Sequence, residues 1–367
     1  SPIPSIGRDD GVAFSLNNLG FVVTGSGDGS DYTESNRLFC YNPETDSWME
    51  KAEFPGTKRQ YSNVFTIEDK AYLIGGYSES GNALNDVWSY DGDLDEWVQH
   101  SNFPGLPRWD ASSLSMNGTG YFGLGTTQVG TLNDIWEYHP ENDDWISLCC
   151  SAANPSRSAL AFPLFDRIIF GEGFTANPGV PVTYPDEWFS YDPETTFWWS
   201  LDSPIGFRSY GTALSNGSYA LICGGMDANG VFRNDCYQMS YPGNWKVVDP
   251  IGTEGLRGSS GFVIGNDFYV GTGLKASGAK TSEFYKISLP DNDLSETTVF
   301  PNPSNDAFNI ISFPESEVDI YSIDGKLVLE SMTDETGYLT IDDLNSGIFI
   351  LKIQSNNSEM TLRIEKI

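Results

Sequence analysis

Six arginines punctuate the first 257 residues at near-constant intervals: Arg8, Arg59, Arg108, Arg157, Arg208 and Arg257, spaced 51, 49, 49, 51 and 49 residues apart. Aromatic residues follow three of them closely, at Tyr61, Trp109 and Tyr210. A guanidinium is a planar fork of five donors, and beside an aromatic ring it suits carboxylates, sulfates or glycans. The plainer reading is that a residue kept in every repeat serves the repeat, donating to loop carbonyls and tying neighbours together. Electrostatics bears on both readings. Two like charges about 10 Å apart repel by roughly 1.7 kcal/mol at an effective dielectric of 20. A ring of six therefore needs carbonyls, acids or an anion beside it, and Asp9, Asp10 and Asp110 are at hand.

Other chemistries find less support. The five cysteines (Cys40, Cys149, Cys150, Cys223 and Cys236) include no CxxC pair, and the two histidines, His100 and His139, sit in turn-like segments, so no zinc site is expected. Cys223 and Cys236 fall on neighbouring expected strands, which allows a disulfide; buried thiols acting as small apolar residues are the preferred reading. Asp91-Gly92-Asp93-Leu94-Asp95 alternates acids as a calcium loop does, but it aligns with the turns of the other repeats, and the turn is preferred. No G-x-S-x-G elbow, P-loop or sialidase Asp-box is present. No catalytic constellation is recognisable, and no cofactor is expected.

Asp plus Glu is 51 against 20 Lys plus Arg, a net charge of −31. That field repels nucleic acid and anionic lipid, which require basic patches. It suits a soluble surface protein or one bathed in divalent cations. No apolar run approaches the roughly 18 residues of a membrane helix. No basic-then-apolar leader opens the chain, which reads as a signal peptide already removed.

The arginines mark a repeat. After each comes an apolar strand, then a second strand ending in glycines: Gly25-Ser26-Gly27, Gly75-Gly76, Gly123-Leu124-Gly125, Gly171-Glu172-Gly173, Gly224-Gly225 and Gly271-Thr272-Gly273. A variable loop follows, longest at Phe174–Asp186. A third strand then carries an aromatic pattern, as in Asn85-Asp86-Val87-Trp88-Ser89-Tyr90 and Asn133-Asp134-Ile135-Trp136-Glu137-Tyr138. A turn and a tryptophan complete the unit, at Trp48, Trp97, Trp145, Trp198 and Trp245. Short alternating strands at this spacing describe four-stranded antiparallel sheets stacked radially. Each sheet packs on two neighbours, and large aromatics fill the wedges between them.

The glycine pair, the aromatic third strand and the spaced tryptophan resemble the kelch repeat over roughly residues 8–290. The expected fold is an all-β, six-bladed kelch-type β-propeller. Four repeats depart from the pattern with Gly-x-Gly, and the sixth lacks the tryptophan strand. In this family the N-terminus usually supplies that outer strand. Either the native chain begins a few residues upstream or blade six has three strands. Alternate connections of an antiparallel blade share a face, so the variable loops should surround the arginines. That face is the expected ligand face, with Arg8, Arg59, Arg108, Arg157, Arg208, Arg257, Tyr61, Trp109 and Tyr210 as its candidate residues.

Beyond residue 290 the pattern changes. A polar linker at 291–298 precedes Pro301-Asn302-Pro303, a strand Phe308–Ile311, Val318–Tyr321 with a turn at Asp324-Gly325-Lys326, the segment Leu344–Lys352 containing Gly347 and Phe349, and a final strand Leu362–Ile367 containing Lys366. These ordered words resemble the type A C-terminal sorting domain of Bacteroidetes type 9 secretion cargo. Residues 299–367 are expected to form an immunoglobulin-like β-sandwich. The resemblance implies recognition by the type 9 translocon and its outer-membrane shuttle β-barrel. It also implies removal by a sortase-like protease and attachment to surface lipopolysaccharide.

The sequence thus predicts a propeller at 1–290, a linker at 291–298 and a sorting domain at 299–367. The leading function is a non-catalytic binding or adhesion module on the cell surface, with gliding motility among the processes it would serve. Its propeller face would take a glycan or a surface protein. The alternative is a carbohydrate-active kelch enzyme, sialic acid mutarotase-like, acting on acidic sugars. A pair of close carboxylates in the central pocket would favour the enzyme. Copper radical oxidase chemistry is disfavoured, because His100 and His139 lie near outer strands of different blades.

Overall fold

Alternation of residue type forms the local structure. Val12-Ala13-Phe14-Ser15-Leu16 alternates large apolar with small residues, and its burial alternates likewise. Second strands such as Leu19–Val23 are nearly continuous apolar runs, as expected of a strand covered on both faces. Fourth strands such as Ser47–Lys51 are largely exposed, at the rim.

The computed structural model describes the chain except residues 28–34, 151–153, 165–166, 194, 241–243, 290–297, 301–306, 313–315, 335–336, 343, 356–357 and 367. Regular structure among the described residues is strand throughout. They form two compact units. One comprises Ser1–Asn216, Ala220–Met239 and Trp245–Ser288; the other comprises Leu289–Ile367 with Gly217–Tyr219 and Ser240–Asn244.

Among the described residues the first unit holds six antiparallel sheets of three or more strands in chain order, beside three two-stranded ribbons. Sheet one is Val12–Leu16, Leu19–Val23, Leu38–Asn42 and Ser47–Lys51. Sheets two to five repeat that order, with first strands Asn63–Ile67, Ser112–Met116, Leu160–Leu164 and Thr212–Ser215. Sheet six has three strands among the described residues: Ser260–Ile264, Asp267–Gly271 and Phe284–Ser288. The N-terminal segment follows the path that other repeats take after their fourth strand. Ile3 N–H donates to Ser282 O as Phe54 N–H does to Asn36 O, and Trp48 Nε1 donates to Ser1 O as Trp97 Nε1 does to Ala52 O.

A ring of backbone hydrogen bonds closes the six sheets. Gly25, Gly76, Gly125, Gly173, Gly225 and Gly273 donate to the carbonyls of Arg59, Arg108, Ser156, Arg208, Leu256 and Arg8, at 2.6–3.0 Å. The last link joins sheet six to sheet one. These glycines are obligatory for two reasons. Each has φ between 82° and 107°, and at Gly173 a Cβ would lie 2.6 Å from Arg157 O. The preceding position is also left-handed but tolerates Thr24, Leu124, Glu172 and Thr272. In sheet one the required residue is Gly25, so the Gly25-Ser26-Gly27 triplet is offset from the other repeats.

Aromatics fill the wedges as expected. Phe103 packs on Phe122, Trp136 and Trp145 between sheets two and three, and Trp48 packs on Phe262 and Phe284 between sheets one and six. The turns also join sheets. Asp95 accepts Tyr90 Oη–H at 2.7 Å and Ala52 N–H at 2.9 Å, and Asp143 accepts Tyr138 Oη–H and Ser101 N–H. Asp91 caps Asp93 and Leu94 N–H. The acids of the 91–95 segment are thus engaged in turn geometry. The preference for free thiols at Cys223 and Cys236 is corrected: they face each other on adjacent strands and form a disulfide.

In the second unit, Thr298–Phe300, Phe308–Ile311 and Tyr338–Ile341 make one sheet. Leu327–Met332, Glu317–Ser322, Gly347–Ser355 and Ser358–Lys366 make another. Phe308, Ile310 and Ile341 from the first share a core with Val318, Ile320, Leu351, Ile353 and Ile364 from the second. Leu344 and Phe349 are buried in that core, Gly325 makes the turn with φ 85°, and Gly347 pairs with Lys366. The strand expected at Leu344–Lys352 begins at Gly347, and the last strand is longer than expected. Pro301, Asn302 and Pro303, and the linker up to 297, lie outside the described residues.

Candidate ligand site on the axis

The glycine ring fixes which residues are equivalent. Its acceptors are Arg8, Arg59, Arg108, Ser156, Arg208 and Leu256. Arg157 and Arg257 therefore stand one residue later than the other four arginines, a shift hidden by uneven loop lengths. On an extended segment one residue turns a side chain to the opposite face.

The four arginines in the first register are interior struts, 0–3% exposed at the side chain where they pair with acids. Arg59 grips Asp86 with both Nη atoms at 2.6 and 2.7 Å and donates to Gly75 O. Arg108 grips Asp134 at 2.5 and 2.7 Å and donates to Leu124 O. Arg208 grips Asp235 at 2.8 and 3.2 Å and donates to Gly224 O. Arg8 donates to Thr24 O, but sheet one has Arg37 where the others have the aspartate. Burial, then the Arg37 charge, pull the Arg8 pKa down to about 10. These four tie the blade together and are not presented to a ligand.

Arg157 and Arg257 are placed differently. Arg157 donates from Nε to Asp110 Oδ2 at 2.7 Å, and its guanidinium lies between Trp109 and Phe174, 5.8 and 5.2 Å from the ring centroids. Arg257 Nη1 is 3.7 Å from Asp10 Oδ1, and its guanidinium lies 5.1 Å from Tyr210 and 5.7 Å from Phe232. Their side chains are 18% and 20% exposed.

The next position in each repeat lines the axis. Asp10, Tyr61, Asp110, Ser158, Tyr210 and Gly258 all have φ between 52° and 60°. Five backbone hydrogen bonds chain them in succession, Tyr61 N–H on Asp10 O, Asp110 on Tyr61, Ser158 on Asp110, Gly258 on Tyr210 and Asp10 on Gly258. They surround a cavity of 160 Å³. Five of these residues are not glycine and hold a left-handed conformation, which side chains adopt at a cost mostly where function or a rigid frame demands it. Here that succession of hydrogen bonds supplies the frame. Below it, the small residues of the six first strands, such as Ala13, Ser113 and Ala213, line a channel of 350 Å³.

Burial, then the Asp9 charge, hold the Asp10 carboxyl well above the usual carboxylate range, with Asp110 adding to the effect. Burial and then Asp10 push the Tyr61 hydroxyl up, and burial and then Asp110 push Tyr210 up to about 12. Ser158 Oγ–H donates to Asp110 Oδ2 at 2.6 Å. For Arg157, burial is the largest single influence and pulls down, but Asp110, with Tyr210 and Tyr61, together hold the guanidinium above its ordinary value.

Of the residues singled out in the sequence, Arg157, Arg257, Tyr61 and Tyr210 come together here, and Trp109 flanks Arg157. Asp10 and Asp110, read as counter-charges, line the cavity itself. Ser158, Phe174 and Phe232 were not singled out. The signal for Ser158 is its place two residues after the strut register, which the arginine spacing masked.

Three comparisons bear on this geometry. Residues 5–172 match the model of the KLHDC2/KLHL20/DRC7 Kelch-repeats domain. Residues 298–366 match the secretion system C-terminal sorting domain. That tail marks proteins exported by type 9 secretion to the cell surface or the extracellular space. The solved structure of YjhT is 18% identical, with a TM-score of 0.64, and the match covers 79% of this chain and 98% of that one. At that identity it shows the propeller fold alone. The comparison with curated proteins finds no match.

Proposed function

Starting from a kelch-repeat propeller that carries a type 9 sorting tail, we propose that it is exported to bind a small anionic group, of the acidic-sugar class, at the axial cluster. The observation that carries this reading is that Arg157 and Arg257, each flanked by two aromatic rings, contact Asp110 and Asp10, two acids that line one cavity. Guanidinium groups select carboxylate or sulfate, and the rings and hydroxyls of Tyr61 and Tyr210 suit a sugar body. Display outside the cell makes such a chain a surface-binding or adhesion module. The test is a glycan array probed with the full chain and with an Arg157→Ala, Arg257→Ala variant. Acidic glycans should be retained by the first and lost by the second; equal retention refutes the site.

A second reading rests on a specific observation. Asp10 is held toward its protonated form beside Asp110 and Tyr61, an arrangement able to move a proton on a bound sugar. NMR of an acidic sugar would show faster interconversion of its anomers or a product, and Asp10→Asn would remove that acceleration while sparing binding. Binding with no chemical change leaves the binding module alone.

The tail would engage the translocon and its shuttle barrel. Ser358–Lys366 is an edge strand of its sheet, with one face of backbone groups open to strand addition. Processing by a sortase-like protease and attachment at the surface belong to the same proposal.

A further inference from the structure

We propose that the ligand is an oligosaccharide rather than a single sugar, its acidic end in the axial cavity and its following residues on an aromatic track formed by Phe174, Tyr184 and Phe207. This rests on the axial site proposed above and extends it outward.

Aromatic rings run without a break from the axis toward the exposed loops. Tyr61 contacts Tyr210 at 6.3 Å between centroids, Tyr210 contacts Phe174 at 5.9 Å, Phe174 contacts Tyr184 at 6.4 Å, and Tyr184 contacts Phe207 at 4.7 Å. Each step is about the size of one hexose ring. The inner end meets the two guanidinium groups, because Phe174 flanks Arg157 and Tyr210 flanks Arg257. At the outer end Tyr184 is 45% exposed, although a tyrosine of this kind is ordinarily covered by its neighbours.

The track is preformed. Phe174 and Tyr184 stand on the insertion that the sequence marked as the longest variable loop. Thr175 and Thr183 exchange backbone hydrogen bonds across it at 3.0 and 3.2 Å, Arg157 and Phe174 are bridged, and Asn177 Oδ1 accepts Thr131 N–H at 2.9 Å from the neighbouring sheet. A loop fixed at both ends and its middle holds its rings in place without a core to gain by doing so. Aromatic faces stack on the apolar faces of sugars, and a linear series of them suits a chain better than a single ring. The charge at one end fixes which sugar sits innermost.

Calorimetry with the full chain tests this with three probes: glucuronate, a tetrasaccharide ending in glucuronate, and the same tetrasaccharide ending in glucose. The acidic tetrasaccharide should bind roughly tenfold more tightly than glucuronate, and a Tyr184→Ala, Phe207→Ala variant should abolish that advantage while leaving glucuronate affinity unchanged. Tyr184→Phe should behave as the unaltered chain. The proposal is overturned if the variant keeps the advantage or if glucuronate binds as tightly as the tetrasaccharide. It is overturned together with the axial reading if neither acidic probe binds. If the glucose-ended tetrasaccharide binds equally well and is lost in the variant, the track stands and the axial anion site falls.

Discussion

Asp110 of the third sheet accepts Arg157 of the fourth, Nε to Oδ2 at 2.7 Å, while Arg108, only two residues before Asp110, turns inward to Asp134. One short segment thus sends its strut into the blade and its acid to the axis. The two arginine classes should separate by experiment. Arg157→Ala should lose binding of acidic sugars, and Arg108→Ala should keep it. Arg108→Ala takes the guanidinium from partly buried Asp134, which keeps the Trp136 Nε1–H donor, and should cost about 3 kcal/mol of unfolding free energy, measured by urea denaturation. If a folded Arg108→Ala chain loses acidic sugars as Arg157→Ala does, the distinction between strut and site is wrong.

Sheet one lacks the acid that its strut should have. Arg8 faces Arg37 where Asp86, Asp134 and Asp235 stand in other sheets, and Arg37 is held by Glu50 at the surface. Arg37→Asp gives up that exposed pair, worth roughly 0–1 kcal/mol, and supplies Arg8 with a charged partner, worth roughly 1.5–3 kcal/mol. A rise in melting temperature is expected; a fall would show that the residue-37 position does not face Arg8 as its equivalents face their struts.

Glu172 gives a pH dependence of defined sign. It occupies the left-handed position before Gly173 and is 3% exposed. Trp188 Nε1–H at 2.9 Å and the Arg208 N–H donate to its carboxylate. Burial outweighs these donors and raises its pKa from 4.5 to about 8. Between those values the folded chain holds a proton that the unfolded chain has lost, so this group's stabilisation is complete below about 4.5, falls as pH rises, and is gone above about 8. Relative to the unaltered chain, Glu172→Gln should gain melting temperature as pH is raised from 5 to 8. A difference that stays flat over this interval would mean Glu172 is ionised when folded.

Export should follow the tail. A chain ending at residue 298 should remain in the periplasm, and residues 291–367 fused to an unrelated periplasmic protein should carry it to the surface. Protease shaving of intact cells gives the answer. A fusion that stays inside, while an established sorting domain exports the same passenger, would remove the tail's assigned role.

The sequence by itself determined the kelch architecture and the secretion tail. Both are written in local chemistry: glycines where φ must be positive, aromatics at fixed offsets, and apolar alternation of period two. Such signals survive because each acts within a repeat or between adjacent ones. The site was only partly legible. Arginine spacing suggested six equivalent residues, but insertions elsewhere in the repeats absorbed a one-residue shift, and residue type alone cannot report which face of a strand a side chain takes. Only the closed ring of glycine hydrogen bonds shows that Ser156 and Leu256 replace two struts, freeing Arg157 and Arg257 for the axis. The disulfide between Cys223 and Cys236 was open for the same reason, since adjacency of strands permits a bond but register decides it. Residues as distant in sequence as Asp10, Asp110 and Tyr210 meet because six sheets share one axis, and that convergence is a property of ring closure rather than of any segment.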